Sequence, residues 1–159
     1  MDGVTAIDTR QLRIARRFKA PREMVFKAWT DRTMFAKWFG PDHFRTTHCA
    51  LDVREGGAWS ATLKGPERLH SVSGTFLKVK APSSLEFTWA WHETGDSKTP
   101  RQHETIISVE LVDRGEETDM VFIQGLFRDA DGARSHNEGW DSGFDCLDRL
   151  LVGCEPKTD

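Results

Sequence analysis

The chain has 159 residues, 38% hydrophobic and 30% charged, with a formal net charge of −3. That length fits one domain, because a chain of this size buries roughly two thirds of its unfolded surface. The slight negative charge argues against a nucleic-acid binder that coats phosphates, and the six tryptophans and ten phenylalanines, with no tyrosine, point to an interior wall of rings without phenolic hydroxyls.

The start, MDGVTAIDTR, has no charged-then-apolar signal pattern. The first strand expected is Gln11 to Lys19, with Leu12, Ile14 and Phe18 on one face and Arg16, a charge, among them. Ala20-Pro21 then opens a short helix in which Val25, Phe26 and Trp29 supply the apolar face, and Pro21 and Glu23 suit its start. A second short helix, Thr33 to Phe39, presents Met34, Phe35, Trp38 and Phe39 before Gly40-Pro41 ends it.

From Phe44 the period becomes two. Cys49, Leu51 and Val53 alternate with polar or small partners, and Gly56-Gly57 turns the chain into a strand with Trp59, Ala61 and Leu63 on one face. In the next strand, Leu69 to Val79, Val72, Gly74 and Phe76 share parity, whereas Leu77 and Val79 break it, which predicts a bulge or a covered outer patch. Leu85, Phe87, Trp89 and Trp91 give the clearest alternation in the chain. The polar segment His92 to Gln102 reads as a long connection, followed by strands at Thr105 to Leu111 and Thr118 to Gln124.

The last element returns to the helical period: Trp140, Phe144, Leu147 and Leu151 form a stripe, with Cys146 and Leu150 beside it. Ser135 and Glu138 have the spacing of a capping box, so the helix is placed at Ser135 to Val152, with Asp129 to Gly132 as a loop. Sequential hairpins predict an antiparallel sheet with one apolar face, and this helix is the element long enough to cover it.

Chemical signatures are sparse. There is no phosphate-cradling glycine loop, nucleophile elbow, CxxC pair or HExxH motif. The cysteines Cys49, Cys146 and Cys154 are odd in number and widely separated, which argues against a disulfide framework and makes the cytoplasm the expected compartment. No apolar run approaches the roughly 20 residues of a membrane span. The histidines do not cluster: His43 and His48, five apart on a strand, face opposite sides, so neither a metal nor a cofactor is expected. Three polar residues, Arg16, Thr118 and Gln124, share the inward parity. Arg16 calls for an acid such as Asp145 or Asp148 on the covering helix, and Gln124 either satisfies itself in the core or offers its amide to a ligand.

The words Arg16-Arg17-Phe18-Lys19-Ala20-Pro21, Val25-Phe26-Lys27-Ala28-Trp29-Thr30-Asp31, Lys37-Trp38-Phe39-Gly40-Pro41, Asp52-Val53-Arg54-Glu55-Gly56-Gly57-Ala58-Trp59, Leu85-Glu86-Phe87-Thr88-Trp89 and Gly139-Trp140 carry a resemblance. They are similar to bacterial proteins related to the C-terminal domain of the activator of the heat-shock-protein-ninety ATPase. These belong to the START-like (SRPBCC) helix-grip superfamily of the major birch pollen allergen. The resemblance runs from about residue 10 to 152, and departs from the usual pattern at Glu55 and at Gln124, where histidine is frequent. It implies an α+β fold: a curved antiparallel seven-stranded sheet around a long C-terminal helix, with two short helices after the first strand.

Three functions fit these residues and this resemblance. The leading one is a cytosolic protein that binds a small hydrophobic or aromatic molecule between sheet and helix. Its pocket would be lined by Trp38, Trp59, Phe76, Phe87, Trp89, Phe122, Trp140 and Phe144, with Gln124 orienting the ligand. The second is a cyclase, hydrolase or dehydratase on a polyketide-like substrate, for which His70 and His103 are the acid–base candidates. The third is a co-chaperone-like interaction module, with Leu77 and Val79 as the exposed patch or as a homodimer interface. Nucleic acid and membrane are not expected partners.

Overall fold

The computed structural model describes residues 10–153; the leader and Cys154 lie outside that span. The elements run β1 Leu12–Phe18, α1 Arg22–Thr30, α2 Arg32–Trp38, β2 Arg45–Leu51, β3 Ala58–Lys64, β4 Leu69–Lys80, β5 Ser84–Trp91, β6 Thr105–Arg114, β7 Glu117–Gly125 and α3 Ala130–Leu151. The strands form one antiparallel sheet in the order β1-β7-β6-β5-β4-β3-β2. β1 and β2 are consecutive strands yet occupy opposite edges, so α1 and α2 must carry the chain across the concave face. This is the helix-grip arrangement expected from the sequence.

Period-two patterning decides which rings enter the interior. Thr118, Met120, Phe122 and Gln124 are buried along β7, and Trp59, Ala61 and Leu63 along β3, while their neighbours are more exposed. The break at Leu77 is a register shift between Phe76 and Lys78 in the β4–β5 pairing. Leu77 is 43% exposed, whereas Val79 is half-buried and packs against the core, so the outer patch is narrower than the sequence suggests.

α3 lies on the concave face, with Trp140, Phe144, Cys146 and Leu147 buried. It starts five residues before the sequence-based position. Asp129 is the N-cap, its carboxylate accepting from the Gly132 amide at 2.8 Å, and Ser135 lies inside the helix. An Asx cap outcompetes the Ser135 capping box because it satisfies an orphan amide one full turn earlier. Gly143 lets the helix approach the segment after α2: a Cβ there would stand 3.1 Å from the Gly40 carbonyl oxygen.

Arg16 clamps the other flank of α3. Its guanidinium donates to Asp145 Oδ1 at 2.6 Å and to the Asp141 carbonyl at 3.1 Å, so the acid is Asp145 rather than Asp148. On the solvent face, Asp119 accepts from Arg17 at 2.7 Å and from Arg114 at 2.8 Å. These hydrogen bonds hold its carboxyl well below the usual carboxylate range. As an exposed cluster it adds little to stability.

Candidate functional site

Between sheet and helix the interior is filled with rings. Trp29 of α1 sits at its centre, with ring centroids 4.9 Å from Trp38, 6.2 Å from Phe87, 6.1 Å from Phe122, 6.0 Å from Trp140 and 6.0 Å from Phe144. Trp38, Phe122 and Phe144, expected to line a pocket, have no measurable exposure. Trp59, Phe76 and Phe87 surround, with Trp29 and Phe35, a void of only about 10 Å³. A water needs at least that much space, so the sheet centre is closed to any larger guest.

The open space lies at one end, where the last residues of β5, the Gly40-Pro41 segment and the first turns of α3 meet. This pocket of about 170 Å³ is walled mainly by Phe39, Leu63, Trp89, Trp91, His136 and Trp140. Of the nine residues read from the sequence, it brings together Trp89 and Trp140. Trp91 was legible as inward-facing. His136 was not singled out, although it precedes Trp140 by one helical turn and shares its face.

Polar groups at the pocket are few and mostly fixed. Trp91 Nε1 donates to His136 Nε2 at 3.0 Å, and His136 Nδ1 is 2.9 Å from the Gly132 carbonyl oxygen. A carbonyl only accepts, so the proton is on Nδ1 and the Nε2 lone pair takes the Trp91 N–H. This pair ties the end of β5 to the start of α3. Trp89, 4% exposed, lines the same pocket, and its buried indole N–H has no hydrogen-bond partner. Ser135 also lines the pocket but is exposed to solvent, so Trp89 is the buried side chain there whose donor is unspent.

Gln124 is wholly buried and lies behind the pocket wall. Its Oε1 accepts from Trp140 Nε1 at 2.8 Å, its amide donates to Thr105 Oγ1 at 2.9 Å, and that hydroxyl donates to the Trp89 carbonyl at 3.3 Å. The chain of bonds fixes the Trp140 ring that forms one side of the pocket. Gln124→Leu keeps the volume and leaves the Trp140 N–H buried without an acceptor. We expect a loss of about 2 kcal/mol in urea unfolding, the cost of one orphaned buried donor. A loss below about 0.5 kcal/mol would show that the network contributes nothing.

The family described as "Activator of Hsp90 ATPase homolog 1-like protein" matches residues 19–152. The chain belongs to this family. Among solved structures, the AHSA1 protein of Silicibacter pomeroyi is 27% identical, with a TM-score of 0.80 over 89% of this chain and 97% of that one. A protein from Arthrobacter aurescens, 21% identical, gives a TM-score of 0.81 over 94% of this chain and 91% of that one. One from Mycobacterium smegmatis, 19% identical, gives 0.79 over 94% and 95%. Comparison with curated proteins finds no match.

In this family member the histidines divide by environment. Burial pushes the His136 imidazole below its ordinary pKa of 6.5, and burial likewise lowers that of His70. His70 faces Phe44 and Trp91 at 5.4 and 6.1 Å, outside the pocket. His103 is exposed and bonded to the Leu126 carbonyl. Neither acid–base candidate therefore reaches the pocket. Cys49 and Cys146 are buried free thiols, and burial raises the pKa of the former. No helix among the described residues is long and apolar enough to cross a membrane.

The His136 shift has a sign that can be measured. Above pH 6.5 both folded and unfolded chains hold a neutral imidazole; below it the unfolded chain protonates first, so stability falls until the lowered folded pKa is reached. Thermal melts from about pH 7.5 to about pH 5.5 should show a smaller loss for His136→Asn than for the wild type, with the slope due to His70 remaining. Equal slopes in the two proteins would remove His136 from the acid response.

Proposed function

We propose that the chain binds a small, flat, apolar molecule bearing one hydrogen-bond acceptor, held in the pocket at the open end of the helix grip. The apolar pocket walled by Phe39, Trp89, Trp91 and Trp140 carries this reading, and the Trp89 indole N–H, buried and without a partner, is the donor proposed to meet the acceptor. Size supports a one-ring ligand. An apolar cavity of about 150 Å³ takes up benzene, whereas sites for larger ligands hold about 300–1,000 Å³. Lipids, flavonoids and polyketides therefore exceed the space between these walls.

Acetophenone and ethylbenzene have similar shapes, and only the first carries an acceptor. Tryptophan fluorescence and calorimetric titration should show acetophenone binding about tenfold more tightly than ethylbenzene, the worth of one hydrogen bond to a buried donor. Trp89→Phe, which keeps a ring without the N–H, should bring the two affinities together. Absence of binding by both probes would overturn the proposal, and equal wild-type affinities would remove the role of Trp89.

A further inference from the structure

A second arrangement lies on the opposite, outer face of the sheet. Ser73 of β4 points outward, with Ser60 of β3 and Ala90 of β5 opposite it. Small partners on both sides place no large side chain of the neighbouring strands against its hydroxyl, although Ala90 itself is buried. Ser73 Oγ is 2.8 Å from His92 Nε2, and His92 Nδ1 is 2.7 Å from the Thr99 carbonyl oxygen. The carbonyl fixes the proton on Nδ1, so Nε2 is the base and the Ser73 hydroxyl donates to it. Nucleophile, base and orienting acceptor are thus in line at hydrogen-bond distances.

Two further features distinguish this from a loop tether. The outward residues Ala50, Ala58, Ser60, Ser73 and Thr75, with Arg101, line a groove of about 290 Å³. Arg101 Nη2 donates to the Ser73 carbonyl at 3.0 Å and Nη1 to Glu104 at 2.8 Å, which places its guanidinium beside the serine with further N–H donors left over. A cation at that position can meet negative charge developing on an oxygen bonded to a carbon attacked by Ser73.

We propose that Ser73, His92 and Arg101 form an acyl-transfer site for short-chain carboxylic esters. Ser73 Oγ bonds to the ester carbonyl carbon as its proton passes to His92 Nε2. The carbonyl oxygen becomes an oxyanion facing Arg101. Collapse breaks the bond to the alkoxy group, which leaves as an alcohol with the proton from His92. Water then attacks the Ser73 ester with His92 taking its proton, and the carboxylic acid is released with the Ser73 hydroxyl restored. No metal, oxidant or co-reactant beyond water enters. The groove, floored by small side chains such as Ala50, Ala58 and Thr75, is where a short acyl group would lie.

The test is covalent. A fluorophosphonate probe incubated with the full chain should form a bond from Ser73 Oγ to phosphorus with loss of fluoride, mapped by mass spectrometry to the 69–80 segment. Labelling should vanish in Ser73→Ala and fall at least tenfold in His92→Gln. Hydrolysis of p-nitrophenyl butyrate should fall about 100-fold in Arg101→Gln, the effect of losing one oxyanion donor. Failure of the folded wild type to label overturns the proposal without any variant, as does labelling that maps to another residue or survives in Ser73→Ala. Binding of acetophenone at the inner pocket is read separately and bears on neither result.

Discussion

Trp29→Ala is expected to lower stability by about 3–5 kcal/mol, the range for removing a large buried ring. Trp29 is 2% exposed and touches five other rings from three parts of the chain: α2, the sheet and α3. Its indole N–H has no partner, so the substitution breaks no hydrogen bond; the loss comes from packing and is partly offset by removing a buried unpaired donor. Trp38→Ala is the less clean comparison, because it also removes the bond from Trp38 Nε1 to the Ala28 carbonyl at 2.9 Å. For a domain of this length the melting temperature should drop by roughly 6–20 °C. The hole left beside Trp140 is indole-shaped and apolar, so added indole should restore part of the loss by binding only the folded state. A loss under about 1 kcal/mol, with no effect of indole, would mean that the interior relaxes around the missing ring and that Trp29 is not what closes it.

That central role explains what the sequence disclosed and what it hid. The inward faces of β3, β5 and β7 were legible because a period of two assigns every ring to one side or the other. The bulge near Leu77 was legible because it breaks that period, and the demand of Arg16 for an acid on the helix was legible because a charge at inward parity needs one. Trp29 was read only as part of the apolar face of α1. Its destination depends on β1 and β2 taking opposite edges of the sheet, a long-range fact that no local pattern contains. With the position of Trp29 unknown, a filled interior and a hollow one look alike, and all nine candidate pocket residues were assigned to one space. They occupy three: the pocket, the packed centre and the polar network behind Trp140.

The pocket rim was missed for a more local reason. Ser135 and Glu138 offered a plausible helix start, which left His136 at a terminus rather than one turn inside the stripe of Trp140. Gly132 looked like a loop residue because glycine disfavours helix interiors by roughly 1 kcal/mol relative to alanine. In the structure its amide is the group that Asp129 caps. Tertiary packing of the α3 face outweighs that cost, and the extra turn brings His136 to Trp91.

Gly74→Ala is expected to be still more damaging than its single added carbon suggests. A Cβ at Gly74 would stand 1.8 Å from the Thr88 carbonyl oxygen and 2.5 Å from Trp59 Nε1. Both obstacles are fixed: Trp59 lies opposite Gly74 in the β3–β4 pairing, and its indole crosses the glycine to donate to that same Thr88 oxygen at 2.9 Å. Relief requires either parting β4 from β5 or turning the Trp59 ring out of the core. The first also strains the bond from the Thr75 amide to Thr88 Oγ1 at 2.8 Å. The second leaves a buried N–H without a partner. Overpacking costs about 1–3 kcal/mol and an orphaned buried donor about 1–3 more, so a loss above about 3 kcal/mol is expected, enough to unfold a marginal domain at 37 °C. Gly125→Ala in β7 is the matched control, because its nearest neighbour would be 3.8 Å away. Urea unfolding should place that control within about 0.5 kcal/mol of the wild type, as for substitutions that meet no obstacle. Trp59 and Trp89 are ring neighbours at 5.6 Å, so any folded Gly74→Ala protein should also bind acetophenone more weakly. Wild-type stability in Gly74→Ala would show that the Trp59 ring can move aside freely, and with it the wall that positions Trp89.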